Sequence, residues 1–209
     1  MKIKALALVL TAALLLCGCG QKSETAAAAP AQAVTASAAQ SSTVRPVSTG
    51  VTPEQFGAKG DGIADDLRAL QAAMQQASAS GRPLELTAGA VYRFSSCLGL
   101  PSGLTIRGNG AVLLSDIQYH DLKEDRVAVE LMKDSDDDRA HDVRLENVTF
   151  RAADSCQANY MLRVMLARNV EFVGCTFDCE PNEWGRCAAD LYGGNENIRF
   201  EGCVFRQMT

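Results

Sequence analysis

Between Asp178 and Tyr192 the chain reads DCEPNEWGRCAADLY, and its residue types suit chemistry on a carbohydrate. The indole of Trp184 offers a flat apolar face on which a sugar ring can stack, and the phenol of Tyr192 adds a second ring with a polar tip. Carboxylates beside an arginine can trade protons with a substrate and stabilise the charge that develops. Asp178, Asp190 and Arg186 are therefore the candidate catalytic groups, and Trp184, Glu183 and Tyr192 the candidate substrate-binding groups. The competing reading of the same stretch is a packed loop whose charges face water. A second acidic run, DSDDDRAHD at 134–142, is dense in oxygen ligands but lacks the spacing and the glycine of a calcium loop, so it reads as a solvated insertion and no metal site is assigned to it.

The elements that must position these groups show up as a repeat. DVRLENVTF from Asp142, NVEFVGCTF from Asn169 and NIRFEGCVF from Asn197 align column by column, at offsets of 27 and 28 residues. Alternation within such a period indicates stacked coils. Apolar columns run Val143/Val170/Ile198, Leu145/Phe172/Phe200 and Phe150/Phe177/Phe205, while Arg144/Glu171/Arg199 alternates in sign on the outside. Asn147, Gly174 and Gly202 share a column of residue types that tolerate the left-handed backbone of a corner. GLTIRGNGAVLL from Gly103 reads as a looser coil, and RVAVELM and MLRVML as strands of another sheet. The expected fold is all-β: a short right-handed parallel β-helix of about four coils.

Ahead of the repeat lie two segments of different character. Residues 1–18 carry Lys2, Lys4 and an apolar run too short for an ordinary membrane span, which is the pattern of an export signal. It ends in LCGC, which resembles a bacterial lipobox, implying cleavage before Cys19, a lipid on that cysteine and, because Gly20 follows, an outer-membrane destination in a diderm host. Residues 19–50 are Ala, Ser, Thr, Gln and Pro with almost no large apolar side chain and read as a disordered tether, leaving 51–209 as one domain. The net charge of −5 becomes −7 without Lys2 and Lys4, which argues against nucleic acid as a partner.

Past Cys19 there are six cysteines, and export permits them to pair. Cys175 and Cys203 fall in the inward column of Val148 and read as small core fillers, while Cys179 and Cys187 flank the Trp184 loop, where a bridge and two free thiols are both open.

The segment EQFGAKGDGIADDLRALQAA at 54–73 explains how the stack begins. Gly60 and Gly62 permit a tight turn, and Asp65 or Asp66 is expected to accept the free amide hydrogens of a helix whose apolar face carries Leu67, Leu70, Met74 and Ala77. Such a helix covers the open end of the coils and stops near Gly81. With AGAVYRF and LPSGLTIRGNG following in order, residues 51–115 resemble the N-terminal region of the pectate lyase superfamily, in its rhamnogalacturonase and epimerase-like group. Leu67 and Thr87 depart from the usual Thr and Pro.

The resemblance implies polysaccharide bound along one sheet, with calcium entering only if the chain is a lyase; no other cofactor is implied. The hydrolase signatures of the superfamily are missing: no Asn is followed two residues later by Asp, and neither His120 nor His141 is flanked by Gly. A non-catalytic binding or assembly module, or a form lacking the catalytic coils, is the alternative function. After Phe205 only RQMT remains, too short for a second cap, so the last coil is expected to self-associate or dock a partner.

Overall fold

The computed structural model describes residues 50–118, 127–131, 139–179 and 186–206, all within the compact unit Val44–Thr209. The described chain enters through a single 3-10 turn, Pro53–Phe56, then strand β1 (Asp61–Asp65) and helix α1 (Leu67–Ser80). From Leu84 the strands come in threes: β2 (Leu84–Glu85), β3 (Val91–Phe94) and β4 (Leu98–Gly99), then β5 (Thr105–Arg107), β6 (Val112–Ser115) and β7 (Val127–Leu131). Next are β8 (Ala140–Glu146), β9 (Thr149–Ala152) and β10 (Tyr160–Met165), then β11 (Ala167–Val173), β12 (Thr176–Asp178) and β13 (Cys187–Tyr192). A fifth round opens with β14 (Glu196–Glu201) and β15 (Val204–Arg206).

Successive strands of each round join three different sheets: sheet A in the order β14-β11-β8-β5-β2, sheet B in the order β1-β3-β6-β9-β12-β15, and sheet C in the order β13-β10-β7-β4. Every pairing is parallel. The architecture is thus a parallel β-helix of four full coils and the start of a fifth, in line with the repeat.

Registers follow the sequence columns. Val143, Val170 and Ile198 pair across sheet A, as do Leu145, Phe172 and Phe200. Inside, the aromatic columns become stacks: the ring centre of Phe150 lies 4.9 Å from that of Phe177, Phe177 4.9 Å from Phe205, and Phe172 4.8 Å from Phe200, each pair nearly parallel. Each fully buried phenyl contributes about 1.5–3 kcal/mol by leaving water. The parallel stack makes a column of identical residues the natural filling, because each coil presents the same cross-section to the next. Outside, Glu171 bonds Arg144 on one side and lies 3.8 Å from Arg199 on the other, the alternation expected from the sequence. Such half-exposed pairs set register more than stability.

Two corner ladders hold the coils in step. At the corner between sheets A and B, Asn147, Gly174 and Gly202 all have positive φ, at 52°, 61° and 61°. At the entry to sheet A, Asp142, Asn169 and Asn197 do the same, at 55°, 53° and 54°. Their side chains join coil to coil: Asn197 Nδ2 donates to Asn169 Oδ1 at 3.0 Å, and Asn169 Nδ2 to Asp142 Oδ1 at 2.9 Å.

The N-terminal cap is built as expected, with one difference. Helix α1 buries Ala69, Leu70, Ala73, Met74 and Ala77 in the same core as Leu84, Leu98 and Leu104, and ends on Gly81 at φ 63°. Asp65 Oδ1 accepts the Leu67 N–H at 3.2 Å, which is a helix-start bond. Asp66, the residue at the N-cap, instead turns its carboxylate back to the amides of Lys59 and Gly60 at 2.7 and 3.0 Å. Its carboxylate closes the glycine turn and anchors it to the helix, because Gly60 at φ 61° and Gly62 at φ 75° aim that loop's N–H groups inward. Thr87 uses the N–H that a proline would lack: it donates to Tyr92 Oη at 3.1 Å, and Tyr92 and Thr87 both donate to Glu54 Oε1.

Among the described residues no helix is long and apolar enough to cross a membrane. The export segment, Cys19 and the tether up to residue 49 lie outside the described residues.

Candidate functional site

From β8 onward the connections from sheet A to sheet B are two-residue corners, at 147–148, 174–175 and 202–203. Several of those bordering sheet C are longer: 116–126, 153–159 and 179–186 lead into β7, β10 and β13, and 132–139 leads out of β7, while 95–97, 166 and 193–195 are short. A sheet flanked by long connections is the part of a β-helix where a groove can form, since loops carry function on a rigid floor.

The outer face of that floor carries a charged row. Glu130, Arg163 and Asp190 are in register on adjacent strands, so neighbouring rungs stand about 4.8 Å apart. Arg163 Nε donates to Asp190 Oδ2 at 3.0 Å, and its guanidinium lies 4.6 Å from the centre of the Tyr160 ring. The Arg163 side chain is only 12% exposed and that of Asp190 26%, so this pair is screened less than the charges of sheet A. Tyr192 follows Asp190 by two residues on β13, hence on the same face, and is 64% exposed.

Beside the row, the Cys97 thiol is hydrogen-bonded to Glu130; burial first, then the Glu130 charge, push its pKa up to about 12. It stays protonated at neutral pH, which removes it as a nucleophile. At the head of β10, the Asn159 side-chain oxygen is buried without a hydrogen-bond partner among the described residues.

The candidates read from the sequence separate. Asp190 and Tyr192 come together on sheet C. Asp178 lies at the end of β12 on sheet B, where its Oδ2 accepts from Arg151 Nε at 3.1 Å. Arg186 precedes β13 and donates to the Ala158 carbonyl at 3.1 Å and the Cys156 carbonyl at 2.6 Å, tying one connection of sheet C to the next. Trp184 and Glu183 lie outside the described residues, as does the acidic run 134–138. Of that run's remainder, Arg139 pairs with Glu196 at 2.9 Å. His141 Nδ1 sits 2.9 Å from Asp142 Oδ2. Hydrogen bonds from Asn169 and His141 hold the Asp142 carboxyl below the usual range.

No group of three or more His, Cys, Asp or Glu among the described residues could hold a metal ion. All six described cysteines are free thiols. The bridge considered between Cys179 and Cys187 is not formed: Cys179 is buried with its pKa raised to about 12, first by burial, and Cys187 Sγ donates to the Ala189 carbonyl at 3.2 Å. Cys175 and Cys203 occupy the Val148 column, their thiols on the Leu145 and Phe172 carbonyls at 3.5 and 3.3 Å.

Sequence reasoning missed Glu130, Arg163 and Cys97. Arg163 and Asp190 keep the 27-residue offset of the repeat, but Glu130 stands 33 residues before Arg163, because the 132–138 insertion breaks the period there. The second corner ladder was also missed, although its Asp142/Asn169/Asn197 column heads the aligned repeat.

Residues 51–121 match the family described as rhamnogalacturonase A/epimerase, pectate lyase-like. Sixty residues are 43% identical to the capsule K30/K69-specific Depolymerase 1 of Klebsiella phage K5-2, covering 29% of this chain and 7% of that protein. Among solved structures, PfbA, a surface adhesin of Streptococcus pneumoniae, superposes with a TM-score of 0.57 at 17% identity over 75% of this chain and 38% of that one. The ORF18 protein of Geobacillus virus E2 gives 0.54 at 18% identity over 75% and 36%. The chain therefore spans under half the length of each of these proteins, and at such identities the superpositions speak for the fold. Stacked parallel coils and the glycine turn with its capping helix accompany that match, so over residues 51–121 the chain is similar to the pectate lyase-like family.

Proposed function

We propose that this protein binds polysaccharide along the outer face of sheet C and is held at a membrane by a lipid on Cys19. The observation that carries the first part is the row Glu130–Arg163–Asp190 with exposed Tyr192, on the sheet bordered by the long connections. Carboxylates accept sugar hydroxyls through charge-assisted hydrogen bonds, and a phenol ring packs on the apolar face of a pyranose. The capsule-specific phage depolymerase that resembles sixty residues of this chain supports a role at glycan surfaces. Binding is favoured over turnover because Asp178 and Asp190 stand on different sheets, each paired with an arginine, and Arg186 is spent on backbone carbonyls. Titration of a polysaccharide panel with the full chain tests this: Tyr192→Ala is expected to lose binding without loss of stability. Equal binding by wild type and Tyr192→Ala moves the site off this face.

The LCGC segment supports the anchor. Mass spectrometry of the mature N-terminus is expected to find a lipid-modified Cys19, and an unmodified chain starting elsewhere refutes it.

A further inference from the structure

We infer that the glycan this face selects is a neutral or amino-sugar polymer and not a polyuronate; the inference rests on the polysaccharide-binding reading above. The row holds two carboxylates for one guanidinium. Arg163 is the cation a uronate would need, yet its Nε is bonded to Asp190, its guanidinium lies on the Tyr160 ring, and only 12% of its side chain reaches solvent. To reach Arg163, an incoming carboxylate would have to displace Asp190 and approach Glu130, leaving three acids around one base. Like charges at this separation in a half-buried setting repel, and the chain as a whole carries −5.

Hydroxyl and amino groups meet the opposite situation. Each carboxylate keeps acceptor capacity beyond its bond to Arg163 or Cys97, and parallel pairing puts the two acceptors on the rungs either side of Arg163, about 4.8 Å apart from rung to rung. An extended sugar chain laid across the strands therefore meets an acceptor, a cation already neutralised, and a second acceptor in turn. Tyr192, on the same strand and face as Asp190, supplies the stacking ring. Specificity here comes from repulsion of the wrong ligand as much as attraction of the right one.

The test uses the full chain and three soluble probes, a neutral galactan, the amino polymer chitosan and polygalacturonate, titrated at low and high salt. Wild type is expected to bind galactan or chitosan and to leave polygalacturonate unbound at both salts. Asp190→Asn is expected to weaken that binding about tenfold, the loss of one charge-assisted bond. The double variant Glu130→Gln/Asp190→Asn, which removes both carboxylates of the row from beside Arg163, is expected to gain polygalacturonate binding that high salt abolishes. Wild type binding polygalacturonate as well as or better than the other two overturns the charge inference while leaving the polysaccharide reading intact. Failure of all three probes, and of the wider panel, overturns both. A double variant that unfolds is replaced by Asp190→Asn alone, whose polygalacturonate affinity must then rise relative to wild type; no rise overturns the inference.

Discussion

Replacing Gly174 by alanine tests the corner between sheets A and B more sharply than any other single change. The backbone there sits at φ 61°, and so does that of Gly202 one coil further on. Placing an L side chain in that region costs roughly 1–2 kcal/mol at either site. The two sites differ in what the new methyl meets: at Gly202 nothing lies within 4 Å, whereas at Gly174 a Cβ would stand 2.6 Å from Asn147 Oδ1 in the coil beneath. The Asn147 side chain must then leave its rotamer, at a further cost of about 0.5–1.5 kcal/mol. Gly174→Ala is therefore expected to lose about 2–3 kcal/mol and Gly202→Ala about 1–2, with Asn147→Gly nearly neutral, since the asparagine already occupies φ 52°. The double variant Asn147→Gly/Gly174→Ala removes the collision and should recover about 1 kcal/mol, a coupling that only contacting residues show. Urea unfolding of the full chain followed by far-ultraviolet circular dichroism measures all four, and thermal midpoints should track at about 2–4 °C per kcal/mol. A Gly174→Ala loss no larger than that of Gly202→Ala, or a double variant without recovery, would refute the stacked register argued for this corner.

Other expectations follow from the same geometry. Gly108→Ala should be more damaging than Gly174→Ala in the same urea series, because its Cβ would stand 2.4 Å from the Asn147 carbonyl oxygen, part of the backbone that cannot rotate aside; a loss smaller than that of Gly174→Ala refutes this. Stability should fall in alkali: Cys97 and Cys179 are raised from 9.0 to about 12, Cys175 from 9.0 to about 11 and Tyr92 from 10.0 to about 12, each chiefly by burial. Raised folded-state values mean their contribution is whole below pH 9 and is lost progressively between 9 and 12, so unfolding midpoints that hold flat over that window contradict the burial described. At the acid end, the Ser155 hydrogen bond and the Arg93 pair lower the Asp116 carboxyl below 3.8, so its contribution is present above that value and fades beneath it; Ser155→Ala should shift the acid midpoint upward. Finally, Leu191 on β13 and Val204 and Phe205 on β15, the last described strands of sheets C and B, are 42–53% exposed, and sedimentation is expected to show concentration-dependent association that Leu191→Lys/Val204→Lys reverses; a wild type that stays monomeric throughout refutes it.

What the sequence by itself determined is whatever repeats locally. Inward and outward alternation on β8, β11 and β14, the aromatic columns, the corner column at Asn147 and the glycine turn ahead of α1 are short-range patterns, each set by the residues on the strand or turn itself. They led directly to the coils, the cap and the family resemblance of residues 51–121. What only the tertiary structure decided is how groups far apart in the chain meet. Glu130 joins Arg163 and Asp190 because parallel pairing brings β7, β10 and β13 side by side, and the insertion after β7 hides that relation from any fixed period. Asp178 and Asp190 are near neighbours in sequence, yet the turn of the coil sends one to sheet B and the other to sheet C. Asp66 is a helix-start residue by type, but its carboxylate goes to Lys59 and Gly60, whose amides the folded glycine loop aims inward. Spacing along a strand is local and legible in the sequence, whereas the face on which a strand lies, and the partner beside it, are properties of the closed coil.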